Sequence, residues 1–315
     1  MEKTNFLKRI KGMREFSILA IGIIFIILLS IVEPKFISGT NISNLIRQTA
    51  ITGVIAIGMT FVIISGGIDL SVGSILAFTG VAVAVFMQKG YSIFTAIILS
   101  VLVSVLIGVV IGELIHRGKI PPFIATLGAM QIVRGMVMLW SKANQIPVPK
   151  SVSVFATAKF FGIPAMAFVW FGIIILGLLV SKYTVFGRNV YAIGSNVEAA
   201  RLSGINVEIT TVGIYVFCAF CSAIAGLLMV TRLGSANPTA GVGIEMDAIA
   251  ACVVGGASLM GAVGSVFGTV IGTIIIAMIR NGGQLLKINS FVLDIIVGAL
   301  IVVAVLIDKL HESSK

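Results

Sequence analysis

Charge is what this sequence has least of. Asp, Glu, Lys and Arg make up 11% of its 315 residues, against 58% hydrophobic residues, and the mean hydropathy is +1.15. A soluble domain carries about 25% charged residues. So few charges could not cover the surface of a water-soluble fold, but they suit a surface solvated mostly by lipid. Cysteine is scarce too. Cys218, Cys221 and Cys252 stand inside apolar runs without metal-ligand neighbours and read as small packing residues. The two histidines, His116 and His311, lie far apart near the ends of apolar runs. No paired catalytic carboxylates, metal cluster or nucleophile–His arrangement stands out. An enzyme is therefore not expected, and neither a catalytic residue nor a metal ligand is assigned. A phosphate-binding Gly-rich loop is missing as well. The one Gly-Lys pair, Gly118-Lys119, is followed by Ile120 and lacks the preceding glycine.

What the chain does have is long apolar runs. Stretches of about 16–24 residues can each cross a ~30 Å hydrocarbon core. They fall near 16–32, 45–64, 69–87, 91–114, 122–140, 163–181, 209–230, 245–260, 262–280 and 290–307. The expected fold is all-α, a single polytopic transmembrane bundle over residues 1–315. Gly interrupts the runs near 69–87 and 245–260, so ten spans, or eight full crossings with two partial ones, are both open. The net charge is +10. Most basic residues sit at run ends, where they read as topology determinants and lipid-headgroup contacts rather than a nucleic-acid footprint. Lys3, Lys8, Arg9, Lys11 and Arg14 precede the first run, which reads as a spanning helix rather than a cleaved signal. Starting inside and alternating puts twelve Lys/Arg inside and nine outside, with Arg134 within a span. Both termini are then cytoplasmic.

Polar groups at membrane depth need a reason. Asp69 follows Gly66-Gly67 and precedes an apolar run, an N-cap position next to a Gly break. Capping and a role in substrate binding are both open for it. Glu245, Asp247 and Asp294 also fall near run starts, where a helix dipole favours them. Glu113 precedes Arg117 by four residues, a favourable pair. Arg134 sits one turn from Gln131 in a run opened by Pro121-Pro122; it either lines a pathway or ties two helices. Gly66-Gly67-Ile68-Asp69-Leu70-Ser71-Val72-Gly73-Ser74 and Gly255-Gly256-Ala257-Ser258-Leu259, with Val263-Gly264-Ser265 beyond, look like copies, by internal repeat or by chance. Transporters built from repeats place substrate at such broken helices. Gly66, Gly67, Asp69, Ser71, Arg134, Gly255 and Gly256 are therefore the candidate pathway or gate residues.

The loop 182–208 carries the densest signal. Ser195 and Glu198 are spaced as a capping box, Arg201 falls in the last turn, and Gly204 is placed to stop the helix. The spacing predicts a short capped helix over 196–203. A loop that only connects needs no such device; a loop that transmits force needs a rigid knob. Small Ala199 and Ala200 would allow close approach to a groove, with Glu198, Arg201 and Leu202 at the tip.

Glu198-Ala199-Ala200 followed by Gly204 resembles the EAA-x-x-x-G core of the membrane subunits of ABC importers. The segment from Ile64 to Ser74 looks like a signature of the ribose/xylose/galactose branch of these permeases. So do Ile120-Pro121-Pro122-Phe123-Ile124-Ala125-Thr126-Leu127-Gly128, Pro238-Thr239-Ala240-Gly241 and Asp247-Ala248-Ile249-Ala250-Ala251. The likeness covers about residues 44–308. One departure is Val216-Phe217, where the longer importer motif has Leu-Pro. The resemblance implies a permease domain in a bacterial inner membrane that imports a monosaccharide by alternating access. It implies that Arg188, Ser195, Glu198, Ala199, Ala200, Arg201, Leu202 and Gly204 meet a cytoplasmic ATPase subunit. It also implies an extracytoplasmic sugar-binding protein and a second permease subunit, identical or not. ATP and Mg would be used by the partner, with no cofactor bound by this chain. An ion-coupled secondary transporter and a permease for an amino acid or nucleoside are the rival readings.

Overall fold

The computed structural model describes residues 14–312; Lys3, Lys8, Arg9 and Lys11 lie outside them. The described residues form thirteen α-helices. In chain order they are α1 Arg14–Val32, α2 Gly39–Ile64, α3 Val72–Gln88, α4 Ile93–His116, α5 Pro122–Ser141, α6 Lys150–Thr157, α7 Ala165–Tyr183, α8 Val185–Ser195, α9 Val197–Leu202, α10 Val207–Leu233, α11 Ile244–Val254, α12 Val266–Leu285 and α13 Ser290–Glu312. Two small antiparallel pairs tie loops together: β1 (Ile146–Pro147) with β4 (Ser235–Ala236), and β2 (Lys159–Phe160) with β3 (Ile163–Pro164). The fold is a polytopic helical bundle. Six helices, α2, α4, α5, α7, α10 and α12, are long and apolar enough to cross a membrane.

α2, α10 and α12 carry most of the buried core, while α4, α5 and α7 turn large apolar side chains outward. Leu106, Ile132 and Leu139 are among these exposed side chains. In water such faces would drive aggregation; in a bilayer they meet lipid tails. Close packing of α4 on α10 depends on small residues: a Cβ on Gly108 would lie 2.7 Å from the Tyr215 carbonyl oxygen.

The interrupted runs are half-helices. α3 has 17 residues and α11 has 11, or about 25 Å and 16 Å at ~1.5 Å per residue. Each follows a non-helical segment, 65–71 before α3 and the turn-rich 234–243 before α11. α2 runs antiparallel to α10, since Gly58 packs on Cys218 and Gly67 on Tyr215. The two half-helices start against one another: a Cβ on Gly241 would lie 2.7 Å from the Gly73 carbonyl oxygen. α2, segment 65–71, α3, α4 and α5 are thus repeated upside down by α10, segment 234–243, α11, α12 and α13.

This relation corrects the sequence-level repeat. The fold's counterpart of 65–71 is 234–243. Residues 255–265 are the connection from α11 to α12, equivalent to the short link between α3 and α4. The likeness between the two Gly-Gly segments is local chemistry. Both helices end in a left-handed glycine, Gly66 (φ 82°) and Gly256 (φ 90°). In each case the glycine amide and the one after it return to carbonyls of the last turn at 2.9 Å.

Candidate coupling and gating site

The knob in the 182–208 loop is built from two helices. Thr184 caps α8, its hydroxyl accepting from the Gly187 amide at 3.1 Å. α9 follows directly and is capped by Asn196, whose Oδ1 accepts from the Ala199 amide at 2.9 Å. The predicted Ser195–Glu198 capping box does not form. Ser195 is the last residue of α8, and α9 begins one residue later than the spacing suggests. The reason is that α8 continues through Gly194 and Ser195 to pack on the bundle. Glu198 instead pairs with Arg201 at 3.0 Å on the exposed face. Gly204 stops the helix with φ 84°. Ala200 is buried beside Ile193 and Val207, while Ala199 is exposed. Arg188, Glu198 and Arg201 are exposed, and Leu202 is 82% exposed. An apolar tip flanked by a charge pair has the character of a docking knob.

α8 carries that knob onto both breaks. A Cβ on Gly194 would overlap the Ile64 carbonyl oxygen and lie 2.8 Å from the Ala262 amide nitrogen. The Ala262 amide donates to the Ile64 carbonyl at 2.8 Å. The Tyr191 hydroxyl donates to the Gly264 carbonyl at 2.8 Å. The breaks at Gly66 and Gly256 therefore meet at the foot of α8. Tyr191, Gly194 and Ala262 were missed in the sequence, because Tyr191 and Gly194 read there as loop and nothing local marks Ala262. A cavity of about 410 Å³ opens between Ser65 and Gly67 of the first break, Tyr215 of α10, and Arg201 of the knob.

Asp69 lies in the first non-helical segment and is fully buried. It is not the N-cap of α3, which is Ser71. Its Oδ1 accepts from the Ser71 amide at 2.8 Å and the Ser71 hydroxyl at 2.5 Å, a local turn leading into the helix. Its Oδ2 has no hydrogen-bond partner among the described residues, and Cys218 and Tyr215 of α10 are neighbours of the carboxyl. A buried unpaired carboxylate oxygen is costly.

α5 pins both non-helical segments. The Thr126 hydroxyl donates to the Ile68 carbonyl at 3.0 Å. About two turns on, Arg134 donates to the carbonyls of Pro238 at 2.6 Å and Ala240 at 3.0 Å. Arg134 thus ties α5 to the second segment, away from the knob. Of the other candidates, Gly66 meets Gly261 beside Gly194 of α8, Gly67 packs on Tyr215 of α10 and Gly255 on Gly268 of α12, while Ser71 lies two residues from the Gly73–Gly241 contact.

The remaining acids hold other bonds. Asp247 lies in the first turn of α11, as the sequence suggests, and also pairs with Arg280 of α12 at 2.7 Å; Asp294 lies beyond the first turn of α13 and pairs with Arg280 at 2.5 Å. Glu113 pairs with Arg117 at 2.9 Å as the spacing suggests, and Arg117 also reaches Glu208.

Half-helices meeting inside an inverted repeat, joined to an external knob, define a membrane permease. The chain belongs to the family described as "Branched-chain amino acid transport system / permease component", which matches residues 41–305. It is 47% identical to the ribose import permease protein RbsC of Bacillus subtilis, over 91% of this chain and 90% of that protein. It is 35% identical to RbsC of Escherichia coli, over 94% of each chain. It is also 35% identical to the xylose transport system permease protein XylH of Haemophilus influenzae, over 94% of this chain and 96% of that one. No solved structure matches it.

Proposed function

We propose that this chain is the membrane subunit of an ATP-binding-cassette importer that moves a monosaccharide of the ribose, xylose or galactose class into the cell. The observation that carries the reading is the continuous path from the exposed α9 tip, through α8, to the two backbone breaks. A cytoplasmic ATPase subunit takes the knob formed by Arg188, Glu198, Ala199, Arg201 and Leu202 into a groove. ATP and Mg belong to that partner. The α9 end faces the cytoplasm of a bacterial inner membrane, with both termini on that side. A sugar-binding protein delivers at the opposite end, and a second permease subunit completes the pathway.

When the ATPase pair closes, α9 moves and α8 moves with it. Because α8 touches the breaks through backbone atoms, the displacement passes to segments 65–71 and 255–265 with little side-chain slack. The left-handed glycines, Gly66 and Gly256, supply hinges that other residues adopt only with strain. Opening the cavity by Ser65 and Gly67 toward the cytoplasm is then the inward-facing half of alternating access.

An amino-acid substrate is the second reading, favoured by the family's description. The relatives above carry ribose and xylose in their names, which supports a sugar. The test is reconstitution with the ATPase and binding protein in proteoliposomes. Labelled D-ribose, D-xylose, D-galactose and L-leucine are offered with and without ATP. ATP-dependent entry of one of the sugars is expected. Entry of leucine alone, or sugar entry that needs no ATPase, would overturn the reading.

A further inference from the structure

We infer that the cavity over the start of α11 is where the permease holds its sugar, a neutral polyhydroxyl solute, before the gate opens. This inference rests on the sugar-import reading. The cavity lies at the end of the bundle opposite α9. Its volume is about 480 Å³, within the ~300–1,000 Å³ of small-molecule sites.

The two walls differ in chemistry. One belongs to α2 and presents Gln48 and Thr52, one turn apart. Neither side chain makes a hydrogen bond among the described residues. This is unusual for a threonine of this bundle. Thr49 and Thr60 of the same helix donate to the carbonyl four residues back, at 2.7 Å each. Half-buried donors and acceptors with no protein partner are groups that a bound hydroxyl satisfies.

The facing wall is the Asp247–Arg280–Asp294 ladder. Arg280 and Asp247 are only 16% and 17% exposed at their side chains. With Arg232, the charged lining is two cations and two anions, so the formal charges balance. The paired carboxylates keep acceptor lone pairs, and the Arg280 fork is planar. Hydroxyl groups, which both donate and accept, match such a surface. A zwitterionic amino acid would need an unpaired cation and an unpaired anion. In this cavity Arg280 already holds both Asp247 and Asp294, and Arg232 makes no ion pair among the described residues, so a carboxylate could find a cation there but an ammonium finds no free anion. Apolar Val242 and Met246, both exposed, supply the patch that the C–H face of a sugar covers.

The experiment uses the full permease reconstituted with its ATPase and binding protein. Thr52→Cys introduces a thiol into a chain whose own three cysteines are buried. A membrane-impermeant thiol reagent added outside should label the introduced thiol. Saturating D-ribose should slow that labelling several-fold, while L-leucine and sugar-free binding protein should not. Labelling unaffected by any of the sugars, or no labelling, overturns the inference. In parallel, Q48L/T52V should cut ATP-driven ribose uptake about tenfold or more, the loss of two hydrogen bonds. ATPase stimulation by the loaded binding protein should persist and report a folded complex. Wild-type uptake in that variant also overturns the inference. If the unmutated complex imports leucine and no sugar, the functional reading itself has failed.

Discussion

The Tyr191 hydroxyl sits 2.8 Å from the Gly264 carbonyl oxygen and fastens the helix beside the docking knob to the loop between α11 and α12. Tyr191→Phe removes this one bond and leaves the ring. The stability cost should be about 1 kcal/mol. The complex should still hydrolyse ATP, but the sugar moved per ATP should drop several-fold. An unchanged ratio in proteoliposomes would show that the bond plays no part in transmission.

Gly194 should tolerate no side chain. Gly194→Ala drives a methyl group into the Ile64 carbonyl, and such overpacking costs ~1–3 kcal/mol. A melting temperature several degrees lower in detergent is expected, along with weak uptake. Gly204→Ala is the control. Its position has open space and only the strain of φ 84°, about 1 kcal/mol. Equal melting temperatures for the two variants would contradict the packing account.

At the knob, stability and coupling should separate. Glu198 and Arg201 are an exposed pair whose removal moves stability by ~1 kcal/mol or less. Asn196→Ala, by contrast, loses a helix cap worth ~1 kcal/mol. E198A/R201A should melt like the parent and yet lose ATP-driven uptake and retention of the ATPase on a column. Normal uptake in that double variant would remove these residues from the docking surface.

For Arg134 the two sequence readings differ in what they lose. Arg134→Met leaves the Pro238 and Ala240 carbonyls without their donor. Unpaired buried acceptors cost ~1–3 kcal/mol each. A lowered melting temperature together with lowered uptake marks a tie. Lowered uptake at an unchanged melting temperature would instead make Arg134 part of the pathway.

Much of this architecture was legible in the sequence, and what was illegible has a common cause. Apolar runs place the spans to within a few residues, because lipid imposes a length on them. The run at 245–260 ends early: α11 stops at Val254 because Gly256 takes a left-handed turn. Gly204 was legible because a left-handed stop depends on local chemistry alone. Ser195 and Asn196 are both good caps, so local rules cannot choose between them. The choice is made by Gly194, which holds α8 helical against Ile64. Asp247 does sit in the first turn of α11, but its pairing with Arg280 on α12, shared with Asp294, is a tertiary contact that no local window contains. The inverted repeat was illegible because 234–243 matches 65–71 in its place before a short helix, not in letters or local conformation.

The joint at the foot of α8 is made of main chain. An amide of residue 262 meets a carbonyl of residue 64, and Gly194 offers its own backbone to both. Such a joint carries almost no information in side chains. Substitution reaches its backbone contacts directly where a glycine gains a Cβ or an amide loses its hydrogen to proline, and indirectly through the buried Ile64 side chain and the Tyr191 hydroxyl. A library that scans this region with alanine would record a loss at Ile64, whose side chain is fully buried in the core, and a sharp loss at Gly194, while position 262 is alanine already. The mechanical centre of the molecule would then show itself through its smallest residue.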